Sequence, residues 1–412
     1  MAPKKAQPQR RALYPAPVVI EEGFLAVPLH RREAEGRAAP SSGTTSQVQV
    51  EDSTALCQLW YCVSGNPCGV PVVLFHGGPG YYTCTEDAQL WNPALFKIVC
   101  FDQRGSGKST PQAYASPAAL YQHITMQDII ADAEDLRRKV LGAKAPWIVC
   151  GCSWGSAVAV AYAIRYGPQC VCGMLVQGIY TGHVGEHRGL FTPRPSHEEA
   201  LGLFQSAITK LLLIRRGRGS SESTASDESA KSCESVAMRG SDDPLALHQA
   251  VRDAAVAIGL EDDAVQRALA QWSLYENYFT YPDSRQYFLE KMRLAAAPGP
   301  YHASRKDVTG ALMQLFLFPH MMQLDSLGPA HQLRGQRVAG ALPVVIVQGD
   351  ADEICDASAA QQLFTELALA PKRQRQSLRY IRCPAAHDVL DGGPMQTAFM
   401  QGTATLFDLV MS

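Results

Sequence analysis

The sequence predicts an α/β protein with a mostly parallel central sheet, helices on both faces and an inserted helical cap. Three observations carry that expectation. Short β-rich apolar runs alternate with helical patterns; the alternation stops after about Gly178 and resumes near Pro343; and the interval holds helix-like segments rich in Leu, Met, Tyr and Phe.

The strand-like runs are Val72 to Phe75, Ile98 to Phe101, Trp147 to Cys150, Met174 to Val176, Val344 to Val347 and Leu378 to Ile381. Continuous apolar runs of this length read as strands buried on both faces, the habit of parallel sheets. Between the second and third, Met126, Ile129, Ile130, Ala133, Leu136 and Val140 recur at helical spacing, with Asp128, Asp132, Glu134, Asp135 and Arg138 on other faces. That segment is the amphipathic crossover helix that parallel strands require. Two strand-like pieces near the N-terminus flank a polar stretch, Arg32 to Thr54, expected to be a long hairpin loop.

The expected division is a core over 13–180 and 340–412, a helical cap over 181–339 and a disordered basic tail over 1–12. Within the cap, 217–243 is Ser-, Gly- and charge-rich, too poor in apolar residues to offset the entropy of ordering, and reads as a surface loop.

A formal net charge of -2 over 412 residues gives no field of one sign, so nothing points to nucleic acid or an acidic membrane surface. No apolar run approaches the roughly 20 residues of a membrane-spanning helix. The 12 cysteines, several inside apolar runs, read as buried free thiols and point to a reducing compartment, the cytoplasm. Their C-x-C pairs, Cys150/Cys152 and Cys170/Cys172, lack zinc-site spacing, and neither metal nor cofactor is implied.

The chemistry centres on Gly151-Cys152-Ser153-Trp154-Gly155, a G-x-S-x-G directly after an apolar strand and before the helix-like run Ala157 to Arg165. A strained strand-to-helix turn pushes the serine hydroxyl outward, and small flanking residues let neighbouring backbone pass closely. The bland alternative is a Gly-rich tight turn. A hydroxyl is a weak nucleophile and needs a base, which needs an orienting carboxylate. Downstream, Val344 to Val347 is followed by Asp350 and Asp352, and Leu378 to Ile381 by His387. Asp352 is the chosen acid, with Asp350 as the alternative, and His387 the base. His76-Gly77-Gly78-Pro79-Gly80 at the end of the first parallel strand suits an oxyanion loop, with Gly78 and the N–H of Trp154 as donors and His76 shaping the loop. Gly105-Ser106-Gly107-Lys108-Ser109 looks like the tail of a phosphate-cradling loop, but the required earlier glycine is Asp102, so a tight turn is expected.

Together, Leu13-Tyr14-Pro15, Ser64-Gly65-Asn66-Pro67, HGGPG at 76–80, Phe101-Asp102-Gln103-Arg104-Gly105-Ser106-Gly107-Lys108-Ser109 and Cys152-Ser153-Trp154-Gly155-Ser156 resemble the prolyl aminopeptidases, or proline iminopeptidases. The resemblance implies an α/β-hydrolase fold and release of N-terminal proline from small peptides, with no nucleic-acid or membrane partner. It also implies that Glu276, within Trp272-Ser273-Leu274-Tyr275-Glu276, binds the terminal imino group. A second family glutamate aligns loosely with Gln314, which the resemblance places with Glu276 as a substrate-binding residue at the amine site, here an amide without charge. Tyr81-Tyr82 stand where small residues are common in the family and are expected to narrow the entrance. A carboxylesterase or lipase would use the same triad without a cap carboxylate, and a non-catalytic binding protein could share the scaffold.

Overall fold

The computed structural model describes residues 12–29, 31, 55–115, 124–219, 243–323, 342–368, 377–390 and 392–412. The expectations for residues 1–11, 32–54 and 220–242 fall outside them.

An eight-stranded sheet runs in the order β1-β2-β4-β3-β5-β6-β7-β8. Its strands are β1 (Val19–Pro28), β2 (Leu56–Gly65), β3 (Val70–Phe75), β4 (Phe96–Phe101), β5 (Trp147–Cys152), β6 (Val171–Gln177), β7 (Val344–Gly349) and β8 (Leu378–Cys383). Strand β2 pairs antiparallel with β1 and β4, and every other neighbouring pair is parallel. The six runs expected to be parallel strands all lie inside β3 to β8. Strand β8 differs in being only partly buried, because it is the sheet's edge.

Alternation along the strands supplies two apolar layers. Val73 and Phe75 join one core with Val99, Val149 and Val176; Val72 and Leu74 join the other with Ile98, Ile148 and Leu175. Helices α2 (Met126–Leu141) and α3 (Trp154–Tyr166) cover the first face, and α11 (Pro394–Met411), with the short α1 (Thr85–Gln89), covers the second. Helix α2 starts at Thr125, whose hydroxyl accepts from the Asp128 N–H while the Asp128 carboxylate accepts from the Thr125 N–H at 2.8 Å. This reciprocal pair satisfies two otherwise unpaired donors and sets the helix start.

Between β6 and β7 the chain builds α4 (Val184–Phe191), α5 (Glu198–Gly219), α6 (Pro244–Ile258), α7 (Asp263–Thr280), α8 (Arg285–Ala296) and α9 (Arg305–Gln323). Helix α5 continues to Gly219, so residues 217–219 end a helix where a loop was expected. Helix α7 is central to this layer: Trp272 and Tyr275 pack on Phe191 of α4 and Phe204 of α5, with ring centroids 4.9 to 6.2 Å apart. Helix α10 (Ala357–Ala368) then leads to β8. No described helix is long and apolar enough to cross a membrane.

Candidate active site

Strand β5 ends in a turn at Ser153, which begins α3 with φ 55° and ψ -127°. Ser153 is the one non-glycine among the described residues with positive φ. Backbone strain of this kind persists where surrounding contacts over-determine it. Here the Ser153 N–H donates to the Gln177 carbonyl at 2.9 Å, and glycines stand two residues away on either side. A Cβ on Gly151 would overlap the Gly155 carbonyl, and one on Gly155 would overlap the Phe75 carbonyl. The G-x-S-x-G spacing is therefore dictated by the crossing of β3, β5 and α3.

At the end of β7, Asp352 is buried and its carboxylate is fixed on both oxygens. Oδ1 accepts from the Ile354 and Cys355 N–H groups at 3.0 and 2.8 Å, and Oδ2 lies 2.7 Å from His387 Nδ1. Burial pulls the His387 imidazole pKa down, and the adjacent Asp352 charge and hydrogen bond more than reverse this, so it stands above its ordinary value. Asp350, the alternative acid, instead forms a surface ion pair with Arg382 at 2.7 Å.

Two buried glutamines that carry no sequence signature hold this pair. Gln177 donates to the His387 carbonyl at 3.0 Å, and Gln348 donates to the Cys355 carbonyl at 2.9 Å and the Asp352 carboxylate at 3.4 Å.

The HGGPG segment follows β3. Gln103 N–H donates to His76 Nε2 at 2.9 Å, so the ring proton sits on Nδ1, 2.9 Å from the Gly77 carbonyl. Both ring nitrogens are thereby used to shape the loop. Gly77 lies against the elbow: a Cβ there would be 3.6 Å from the Ser153 Cβ. Gly78 has φ 110° and Gly80 φ 93°. A Cβ on Gly80 would sit 2.9 Å from Gly310 Cα and Met313 Cβ, so α9 of the cap lies directly on this loop.

The residues after β4 complete the frame. Gln103 bridges the two halves, donating to the His76 carbonyl at 2.9 Å and accepting from Trp154 Nε1 at 3.0 Å. The turn that looks like a phosphate cradle is folded around its own anion: the Asp102 carboxylate accepts from the Thr83 and Lys108 N–H groups at 2.8 Å each.

A cavity of about 290 Å³ opens at this point, lined by Ser153, His387, Gly77, Gly78, Tyr81, Tyr82 and Glu276 among others. Both tyrosines thus border the opening. Ser153 also interacts with the buried Cys355 thiol. A second cavity of about 30 Å³ shares Ser153, Gly78, Glu276 and Ile354 with the first and adds Trp154, Tyr180, Glu186, His187, Leu190 and Phe318. Glu276 reaches both from α7. Burial pushes its carboxyl up to about 7 against a donated hydrogen bond from Gln314 and the nearby His387. Gln314 is placed differently from expectation. Its amide oxygen accepts from Trp272 Nε1 at 2.8 Å and its nitrogen donates to Glu276, so it borders a smaller pocket behind Glu276 and neither cavity at Ser153. The physical reason is that a buried amide satisfies both its donor and its acceptor on Trp272 and Glu276. No described group of three or more His, Cys, Asp or Glu could hold a metal ion.

Residues 70–201 match the family model described as alpha/beta hydrolase fold. With the strand order and the elbow at Ser153, the identity of the fold is decided. The chain has the α/β-hydrolase fold. Among curated proteins, this chain is 42% identical over 123 residues to a proline iminopeptidase of Neisseria meningitidis, a segment covering 30% of this chain and 37% of the relative. A proline iminopeptidase of Arabidopsis thaliana is also 42% identical over 123 residues, covering 30% of each chain. The match thus spans about a third of the length of these curated relatives. Among solved structures, a proline iminopeptidase-related protein from Thermus thermophilus aligns with a TM-score of 0.46 and 16% identity, covering 95% of this chain and 100% of the other. An esterase from a Rhodococcus species aligns with a TM-score of 0.43 and 18% identity, over 85% of this chain and 95% of the other.

Proposed function

We propose that this α/β hydrolase is a serine exopeptidase that releases N-terminal proline, or a similar N-terminal residue, from small peptides through an acyl-enzyme. The observation that carries the reading is the meeting, in one cavity, of Ser153 at its strained elbow, His387 held by Asp352 at 2.7 Å, and the cap carboxylate of Glu276. The first two elements serve acyl transfer; the third supplies the anion that a substrate's terminal cation requires.

In the proposed sequence Ser153 Oγ attacks the carbonyl carbon of the N-terminal residue as His387 takes its proton. The Gly78 and Trp154 N–H groups receive the developing oxyanion. Asp352 keeps the imidazole in one tautomer and stabilises its charged form. His387 then protonates the departing amine, and water repeats the attack on the acyl-enzyme with His387 again as base. Glu276 anchors the imino cation, and Gln314 and Trp272 hold Glu276 in place. The shared identity with proline iminopeptidases supports this substrate class.

An esterase reading draws on the apolar arm of the larger cavity, where Leu90, Trp91, Val389, Leu390 and Phe399 form part of the lining. A panel of aminoacyl arylamides run beside simple aryl esters separates the two. Faster turnover of prolyl arylamide than of N-acetylprolyl arylamide is the expected result; turnover of aryl esters with none of the arylamides would overturn the exopeptidase reading.

A further inference from the structure

Two half-buried carboxylates border the small cavity at Ser153. Glu186, in the first turn of α4, lines it together with Glu276, Gly78, Ser153 and Trp154. Resting on the exopeptidase reading, we propose that Glu186 is a second ligand for the substrate's terminal cation, supplying the charge that Gln314 lacks.

Three observations support the assignment. The two carboxylates converge, since both act electrostatically on the same pair of buried groups, the Tyr180 hydroxyl and the Cys355 thiol. Neither has a lysine or arginine partner among the described ion pairs. Burying carboxylates without a cation is costly, so burial raises both Glu186 and Glu276 to about 7, and a bound cation would relieve what each opposes. Finally, Glu186 is pre-positioned. Its carboxylate accepts from the Thr181 N–H at 3.1 Å and the Gly182 N–H at 3.0 Å, and the Thr181 hydroxyl and the His183 N–H also donate to it, so the charge is held fixed at the wall of the cavity.

Those bonds also give Glu186 a plain structural role as the clasp of the turn before α4. Glu186→Gln separates the roles, because an amide oxygen still accepts from Thr181 and Gly182 while the charge is gone. The experiment measures L-prolinamide binding by calorimetry to the native protein, Glu186→Gln and Glu276→Gln, with thermal melting as the check on the frame. Weakening of about tenfold or more in both variants, with Glu186→Gln still melting cooperatively, is the expected result. Weakening in Glu276→Gln alone reduces Glu186 to a turn clasp and overturns the inference while the exopeptidase reading stands. Failure of the native protein to bind prolinamide removes both. If Glu186→Gln does not fold, proton exchange on prolinamide binding to Glu276→Gln decides: a second carboxyl raised by burial gives up protons as it meets the cation, and binding without proton release overturns the inference.

Discussion

Gly178 lies flat against the His387 imidazole. A Cβ at this position would stand 2.8 Å from His387 Cε1, 3.1 Å from Nδ1 and 3.4 Å from Asp352 Oδ2, and Gly178 has φ 54°. Backbone at the end of β6 thus forms one wall of the histidine's slot, and the absence of a side chain lets the imidazole sit beside Asp352.

Gly178→Ala therefore displaces the imidazole and strains the backbone at once. A shift of this kind costs about a hundredfold in kcat. The expected result is that loss on any ester or arylamide the native protein turns over, with the variant still folded by circular dichroism. Native kcat in a folded Gly178→Ala would contradict the account of the slot.

Ser153→Ala should lower kcat by several orders of magnitude and abolish labelling by a phosphonylating serine probe. Ser153→Gly should be as inactive but more stable, because glycine adopts φ 55° freely and relieves about 1–3 kcal/mol of strain. A rise in melting temperature of Ser153→Gly over Ser153→Ala is the measurement.

The carboxyl of Glu276 is raised to about 7, above its unfolded value, so its neutral form stabilises the fold. That contribution is complete below the ordinary carboxylate range and is lost as pH rises through about 7. Glu276→Gln should accordingly gain in melting temperature over the native protein at pH 8 and much less at pH 5. Under the exopeptidase proposal the same ionisation creates the anion for the substrate's cation, so KM for a prolyl arylamide should fall as pH rises from 6 to 8. A flat KM with a flat stability difference would argue that Glu276 does not titrate in this range.

The proposed base, His387, can accept a proton only when neutral, and its pKa lies above the ordinary imidazole value because Asp352 outweighs burial. The acidic limb of kcat should therefore have its midpoint above that of a free imidazole. Asp352→Asn removes the charge and should move whatever activity survives to lower pH, read from the same profile.

Cys152 is half-buried and borders the large cavity. A bulky thiol reagent on it should block activity, and Cys152→Ser should protect a substantial part of that activity. Equal inactivation of Cys152→Ser would place the sensitive thiol elsewhere.

Gln103 and Gln314 mark where sequence reasoning reached its limit. Both are polar residues in segments singled out beforehand, yet what each does depends on partners distant along the chain. Gln103 ties the His76 carbonyl to the Trp154 indole, and Gln314 ties the Trp272 indole to Glu276. Glu186 had no motif around it, and its carboxylate is notable because the fold brings it, half-buried, to the cavity at Ser153. The Asp350 and Asp352 alternatives, two residues apart after one strand, were separated by the way the chain turns: one carboxylate meets Arg382 at the surface, the other His387 inside.

The amino-acid sequence alone determined the parallel strands, the crossover helix, the capped α/β architecture and the turn at Ser153, because each depends on local patterning: apolar runs, helical spacing, and glycines where backbones cross. Tertiary structure decided which carboxylates gather around the small cavity and which side chains hold the histidine. Those outcomes rest on burial and on hydrogen bonds between residues far apart in the chain, and no spacing along one strand or helix encodes them.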